Sequence, residues 1–194
     1  RFGIAAAQAM FGGGALTYIG DTVADRTENL TGNFRLLNGE SGISVIAGAG
    51  RTDTLNFGAA AASFFKNQGA TLNFIESGAG TGVITLQATG LTNTGIMSYA
   101  TYGTTPGVVT DFAANGAAGA ISAFTGYVAG TAETDFVSGN TVDVTSDVSF
   151  STAAAPDNLR FDVPVNLTLD GQTLTLGGGA LLITSNNTGA SSIT

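Results

Sequence analysis

The chain has 194 residues and contains no Cys, His or Trp, so disulfides, thiolate nucleophiles and imidazole bases or metal ligands are outside its chemistry. Fourteen acidic residues against six basic ones give a net charge of −8, which repels phosphate backbones and anionic bilayers and excludes nucleic acid and membrane insertion from the expected partners. Only 10% of residues are charged, yet 43% are hydrophobic and the mean hydropathy is +0.29; disordered chains are poor in apolar residues, so this one is expected to fold.

Near the start, the apolar stretch 4–19 is interrupted by Gln8, Gly12, Gly13, Gly14 and Thr17, and falls short of the ~20 mostly apolar residues that a bilayer span requires. The sequence opens on Arg1 rather than Met, and residues 1–194 are expected to form one segment of a longer polypeptide. Alternating patterns then dominate. Thr54-Leu55-Asn56-Phe57 and Thr71-Leu72-Asn73-Phe74 repeat one tetrapeptide, with Leu and Asn on opposite faces of a strand. Val83-Ile84-Thr85-Leu86 follows, then Val142-Asp143-Val144-Thr145 and Val148-Ser149-Phe150. The C-terminal third is a close succession of triplets: Leu159-Arg160-Phe161, Val163-Pro164-Val165, Leu167-Thr168-Leu169, Leu174-Thr175-Leu176 and Leu181-Leu182-Ile183-Thr184. Turn residues separate them, among them Asp170-Gly171, Gly177-Gly178-Gly179 and Ser185-Asn186-Asn187.

Strands this short, with so little spacer, suit a solenoid in which each coil pairs with the coils above and below. The expected fold is therefore all-β, a parallel β-helix with coils of roughly 20–25 residues. The alternative is an antiparallel β-sandwich of the donor-strand pilin kind, which needs longer strands. Pro164 lacks a ladder donor and is expected at a corner or an edge. Two stretches have helical potential, the Ala-rich 59–66 and 113–123, the latter broken by Gly116 and Gly119. Residues 95–130 alternate least and hold Tyr99, Tyr102 and Tyr127. They are expected to form a longer irregular excursion whose tyrosines contact a partner.

The motifs Thr54-Leu55-Asn56-Phe57-Gly58, Gly69-Ala70-Thr71-Leu72-Asn73-Phe74 and Gly95-Ile96-Met97-Ser98-Tyr99-Ala100-Thr101 resemble bacterial proteins with autotransporter-associated β-strand repeats. So do Phe124-Thr125-Gly126-Tyr127, Asp157-Asn158-Leu159-Arg160-Phe161 and the run from Leu174 to Thr184. The similarity in order and spacing extends over residues 15–194. It implies a right-handed parallel β-solenoid within a large secreted or surface-exposed chain, and it brings no catalytic residues.

Of the residues that could carry chemistry, Glu133/Asp135, Asp143/Asp147 and Asp21/Asp25 are carboxylate pairs of the type a glycosidase uses, though in turns they also read as solvated acids. Asp143 and Asp147 are candidates for a Ca²⁺ ion, as are Asp157 and Asp162, without any EF-hand loop or nonapeptide repeat around them. No cofactor is expected. Asn29-Leu30-Thr31, Asn166-Leu167-Thr168 and Asn186-Asn187-Thr188 match the glycosylation acceptor pattern, and Asn ladders within a solenoid account equally for such residues. Phe34, Phe57, Phe74, Phe150 and Phe161 are expected to stack in the core.

These features lead to a non-catalytic structural segment of a bacterial extracellular surface or fibre protein. Its open solenoid ends would pair with neighbouring coils of the parent chain or with another copy. An adhesin contacting glycans through residues 95–130 is a second reading, and a polysaccharide-active enzyme on the same scaffold a third.

Overall fold

The structure is a computed structural model that describes residues 8–58, 62–88 and 95–194. It is a parallel β-solenoid of about 7 turns. Every named strand pair except one hairpin is parallel, which sets the sandwich alternative aside. The chain divides into two compact units, one formed by Arg1–Val108 with Phe112–Ala123, the other by Val109–Asp111 with Phe124–Thr194.

In the first unit each coil contributes one strand to each of three sheets. Strands β1 (Ala9–Phe11), β4 (Phe34–Leu36) and β7 (Phe64–Lys66) form the first sheet, and β3 (Arg26–Leu30), β6 (Thr52–Phe57) and β9 (Thr81–Leu86) form another. The third contains β2 (Gly14–Ile19), β5 (Gly39–Ala47), β8 (Ala70–Gly78) and β10 (Gly95–Gly103), and is completed by the antiparallel hairpin β11 (Asp111–Asn115) and β12 (Ile121–Ala123). Leu16, Ile43, Phe74 and Tyr102 stand in register along it. Coil repeats in this unit run from 25 residues between Ala9 and Phe34 to 31 between Gly39 and Ala70, at or above the top of the expected 20–25.

Period-2 alternation sends Ile43, Val45, Leu55, Phe57, Leu72 and Phe74 inward, each at most 2% exposed. Aromatic rings fill one side of this core. Phe34 lies 5.3 Å from Phe11, 5.4 Å edge-on from Phe57 and 5.8 Å stacked from Phe64, which in turn stacks on Tyr99 at 6.0 Å. The Thr-Leu-Asn-Phe repeat does not mark successive coils. Its two copies lie on β6 and β8, in different sheets; Phe57 pairs with Leu30 and Leu86, whereas Phe74 pairs with Ile43 and Tyr102.

The second unit is built from β13 (Val128–Gly130), β14 (Thr141–Val144), β16 (Asn158–Phe161) and β18 (Ala180–Ile183) in one sheet and β15 (Val148–Ser149), β17 (Asn166–Thr168) and β19 (Ser192–Ile193) in another. Ala154, bridged in parallel to Leu174, marks a third side. Its repeats are tighter and unequal, 17 residues between Thr141 and Asn158 and 26 between Asn166 and Ser192. Phe136, Val142, Phe150, Leu159, Phe161 and Leu167 make its core, with Phe136 edge-on to Phe150 at 5.0 Å.

Both expected helices are replaced. Of 59–66, the part from Phe64 is strand β7, because its two Phe side chains point to opposite faces of a sheet; residues 59–61 lie outside the described residues. The 113–123 stretch becomes the β11–β12 hairpin around a 3₁₀ turn (Ala117–Gly119), with Gly119 at φ +81°. Residues 95–103, expected to leave the regular coil, are strand β10 within it, so irregular chain begins only after Gly103. Val163-Pro164-Val165 is not a strand but a corner between β16 and β17, with Val163 and Pro164 exposed and Val165 turned into the core, as the missing Pro donor requires.

Candidate functional site

The tyrosines expected to meet a partner are held by their own unit. Tyr99 stacks on Phe64, its ring faces the Lys66 ammonium at 5.2 Å, and its hydroxyl points to Met97 Sδ at 3.5 Å; burial pushes that phenol up to about 12. Tyr102 donates to Glu76 Oε2 at 2.8 Å. In the second unit Tyr127 sits edge-on to Phe124 at 4.9 Å and carries the Arg160 guanidinium over its ring at 4.1 Å.

Arg160 explains Asp143. Its Nε and Nη2 donate to the two Asp143 oxygens at 3.0 and 2.7 Å, and its Nη1 donates to Asp111 and to the Thr110 carbonyl oxygen. Burial alone would lower the guanidinium pKa, but hydrogen bonding and charge from Asp143, with smaller effects from Tyr127 and Asp111, raise it above its ordinary value. Asp143 is thus an ion-pair acceptor on β14. Asp147, the other Ca²⁺ candidate, accepts instead from the Asn166 backbone N–H at 2.8 Å. Asp157 accepts from Gly139 N–H at 3.0 Å, and Asp162 from Thr184 Oγ1 at 2.6 Å. Among the described residues no group of three or more carboxylates is arranged to hold a metal ion.

The other acids cap turns. Glu133 accepts from Ser151 N–H (3.1 Å), Ser151 Oγ (2.9 Å), Thr152 N–H (2.6 Å) and Thr152 Oγ1 (2.5 Å). Those bonds, the Thr152 hydroxyl first, hold its carboxyl down at about 2. Asp135 accepts from Thr131 and Ala132 N–H at 3.0 and 2.9 Å. Asp21 pairs with Arg26 at 2.8 Å, and Asp25 accepts from Thr52 N–H at 3.1 Å. Each pair the sequence suggested is divided between separate backbone and side-chain partners. Asn29, the first sequon residue, is the start of a polar ladder: Asn56 Nδ2 donates to its Oδ1 at 2.7 Å, and Thr85 Oγ1 donates to Asn56 Oδ1 at 2.6 Å.

Three features escape sequence reasoning. The first is Asp53, fully buried on β6, whose Oδ2 accepts from Gly48 N–H at 2.9 Å and whose other oxygen is unpaired. A Cβ on Gly20 would lie 1.9 Å from that carboxylate, so only glycine leaves it room. The second is the finish of strand β9. Backbone donors of Thr81 and Gln87 point to β6, so that of Ile84 points the other way, and Glu76 Oε1 takes it at 2.6 Å. On the same strand Asn115 Nδ2 donates to the Leu86 carbonyl at 3.2 Å, and Thr85 bridges Ala120 of the hairpin segment. Side chains and the hairpin segment thus cover part of the outer edge of β9.

The third is the outer face of the β1–β4–β7 sheet. Met10, Arg35 and Phe65 stand in register there. A signal for it was present in the sequence, since no acid occurs in residues 29–39 or 54–75. No family model, curated protein or solved structure matches this chain.

Proposed function

We propose that the chain is a non-catalytic structural segment of a bacterial extracellular surface or fibre protein of the autotransporter-associated repeat kind, stiffened by continuous β stacking. The observation that carries this reading is a difference between the first two coils. Phe11, Leu16, Tyr18 and Leu30 of the first coil are only partly buried, while Phe34, Ile43, Val45 and Phe57 of the second are wholly buried. Among the described residues the first coil therefore has apolar surface and strand edges still to cover, and a further β coil covers both at once. Strand β9 is covered by Glu76, Asn115 and the hairpin segment, and the side this reading uses for pairing is that of β1, β2 and β3. The reading assigns the acids to turns and ion pairs and gives none of them a catalytic role.

Association of the purified chain, followed by sedimentation and electron microscopy, tests it. Gly20 N–H donates to Ile46 O, so the Thr17 N–H faces away from β5. Thr17→Pro should leave the far-UV spectrum intact and abolish concentration-dependent assembly into elongated particles. A wild-type chain that stays monomeric at every concentration, or a proline variant that assembles equally well, overturns the reading.

A further inference from the structure

In the second unit the apolar core opens at its last coil. Leu181 and Ile183 of β18 stand in register with Leu159 and Phe161 of β16, and Ile193 of β19 with Leu167 of β17. These are inward rows, since Leu159, Phe161 and Leu167 are at most 1% exposed. One coil further on, Leu181, Ile183 and Ile193 are 48%, 58% and 41% exposed, because among the described residues β18 and β19 end their sheets. The backbone is open on the same side. Thr184 N–H donates to Phe161 O and Thr194 N–H to Leu167 O, so the N–H groups of Ile183 and Ile193 face away from β16 and β17.

We propose that this coil binds the β1–β2–β3 edge of a second copy of the chain. The inference rests on the structural reading above and names the partner edge in that association. Strand polarity favours it. In chain order β2 is the first strand of its sheet and β18 the last of its own. Joining them repeats the parallel pairing that β5 makes with β2 and β16 with β18, with both apolar rows kept inside. Two like edges joined with their rows inside would have to run antiparallel. The contact is therefore heterologous, the start of one copy on the end of the next. Charge favours it too. Copies of a chain with a net charge of −8 repel wherever acids meet, yet residues 8–20 and 171–194 contain no charged side chain. They supply β1, β2, β18 and β19, and of the strands in the contact only β3 carries charge, on Arg26 and Glu28. Each edge also has what the other lacks: the half-covered Phe11, Leu16 and Tyr18 on one side and Leu181, Ile183 and Ile193 on the other are apolar rows that bury each other.

The test is sedimentation velocity of the intact chain and of two blocked variants, alone and mixed. Thr17→Pro blocks the start edge. Leu181→Glu combined with Ile183→Glu blocks the end, because stacking would bury two carboxylates. Each variant alone should stay monomeric at concentrations where the wild type assembles. An equimolar mixture should form a dimer and nothing larger, since it offers one free start to one free end. Leu181→Ile combined with Ile183→Val, which keeps the row apolar, should assemble as the wild type does. Far-UV spectra identical to wild type show that the variants are folded. A wild-type chain that stays monomeric overturns this inference together with the reading beneath it. If the wild type assembles and Thr17→Pro prevents it, but the folded double Glu variant still assembles or the mixture stays monomeric, the structural reading stands. The β18–β19 coil then has another occupant, and this inference is overturned alone.

Discussion

At the scale of single residues, most of the acids serve the backbone. Glu133 makes the point: four donors from Ser151 and Thr152 converge on one carboxylate and lower its pKa from 4.5 to about 2. A group whose folded pKa is depressed stabilises the fold above its ordinary pKa, and that contribution disappears as the pH falls through the folded value. The second unit should therefore lose stability between pH 4.5 and about 2, and Glu133→Gln should flatten that acid limb in melting curves measured across the range. If the variant shows the same acid limb, the four contacts do not form in solution. The roles of these acids were not legible in the sequence, because Glu133 finds its donors at a separation of 18 and 19 residues, set by a coil length that composition does not reveal. The buried Phe residues were legible. Phe34, Phe57, Phe74, Phe150 and Phe161 each sit at an alternating position that the pleat sends inward, and all are at most 2% exposed.

At the scale of elements, strands of the Leu-x-Phe type declare themselves, and those made of small or mixed residues do not. Strand β10 carries Ser98, Tyr99, Ala100, Thr101 and Tyr102, whose burial depends on the neighbours that β8 supplies. Strand β7 begins in an Ala-rich run that favours helix by propensity, but three stacked Phe/Tyr rings override that weak preference. The capped edge of β9 was equally hidden, since Glu76 and Asn115 reach it from positions far apart in the chain. That cap predicts a pH response opposite to that of Glu133. Glu76 stands on the inward row with Tyr18 and Val45, and burial raises its carboxyl pKa despite the Tyr102 and Ile84 hydrogen bonds. With the folded value raised, the native state binds the proton more tightly than the unfolded chain, and stability falls as pH rises through the window above 4.5. The first unit should thus gain stability on mild acidification from neutrality. Glu76→Gln should remove that gain; an unchanged pH profile in the variant sinks the assignment.

At the scale of the whole molecule, the parallel coil architecture could be anticipated from brief strands and turn chemistry, whereas coil length could not. The repeated Thr-Leu-Asn-Phe motif comes from two sides of the winding, so its spacing reports the distance between sheets rather than the height of a turn. A chain without disulfides that is stabilised coil by coil has no single weakest bond; each coil draws stability from its immediate neighbours. In the first unit the second coil has neighbours on both sides, with β5 paired to β2 and β8 and β6 to β3 and β9. The first coil has a described neighbour on one side only, and its inward residues are half-covered. Opening it breaks fewer contacts than opening the middle, so native-state hydrogen exchange should be graded. Amides of β2 that donate to β5, such as Gly20 N–H to Ile46 O, should exchange at least about tenfold faster than those of β5 and β8, a difference of only ~1.4 kcal/mol in opening free energy. Under conditions where the chain assembles through its β1–β3 side the gradient should shrink, because the first coil then acquires a second neighbour. Uniform protection of β2, β5 and β8 in the dilute monomer would show instead that the unit opens all at once, and stacking would then be incidental to its stability.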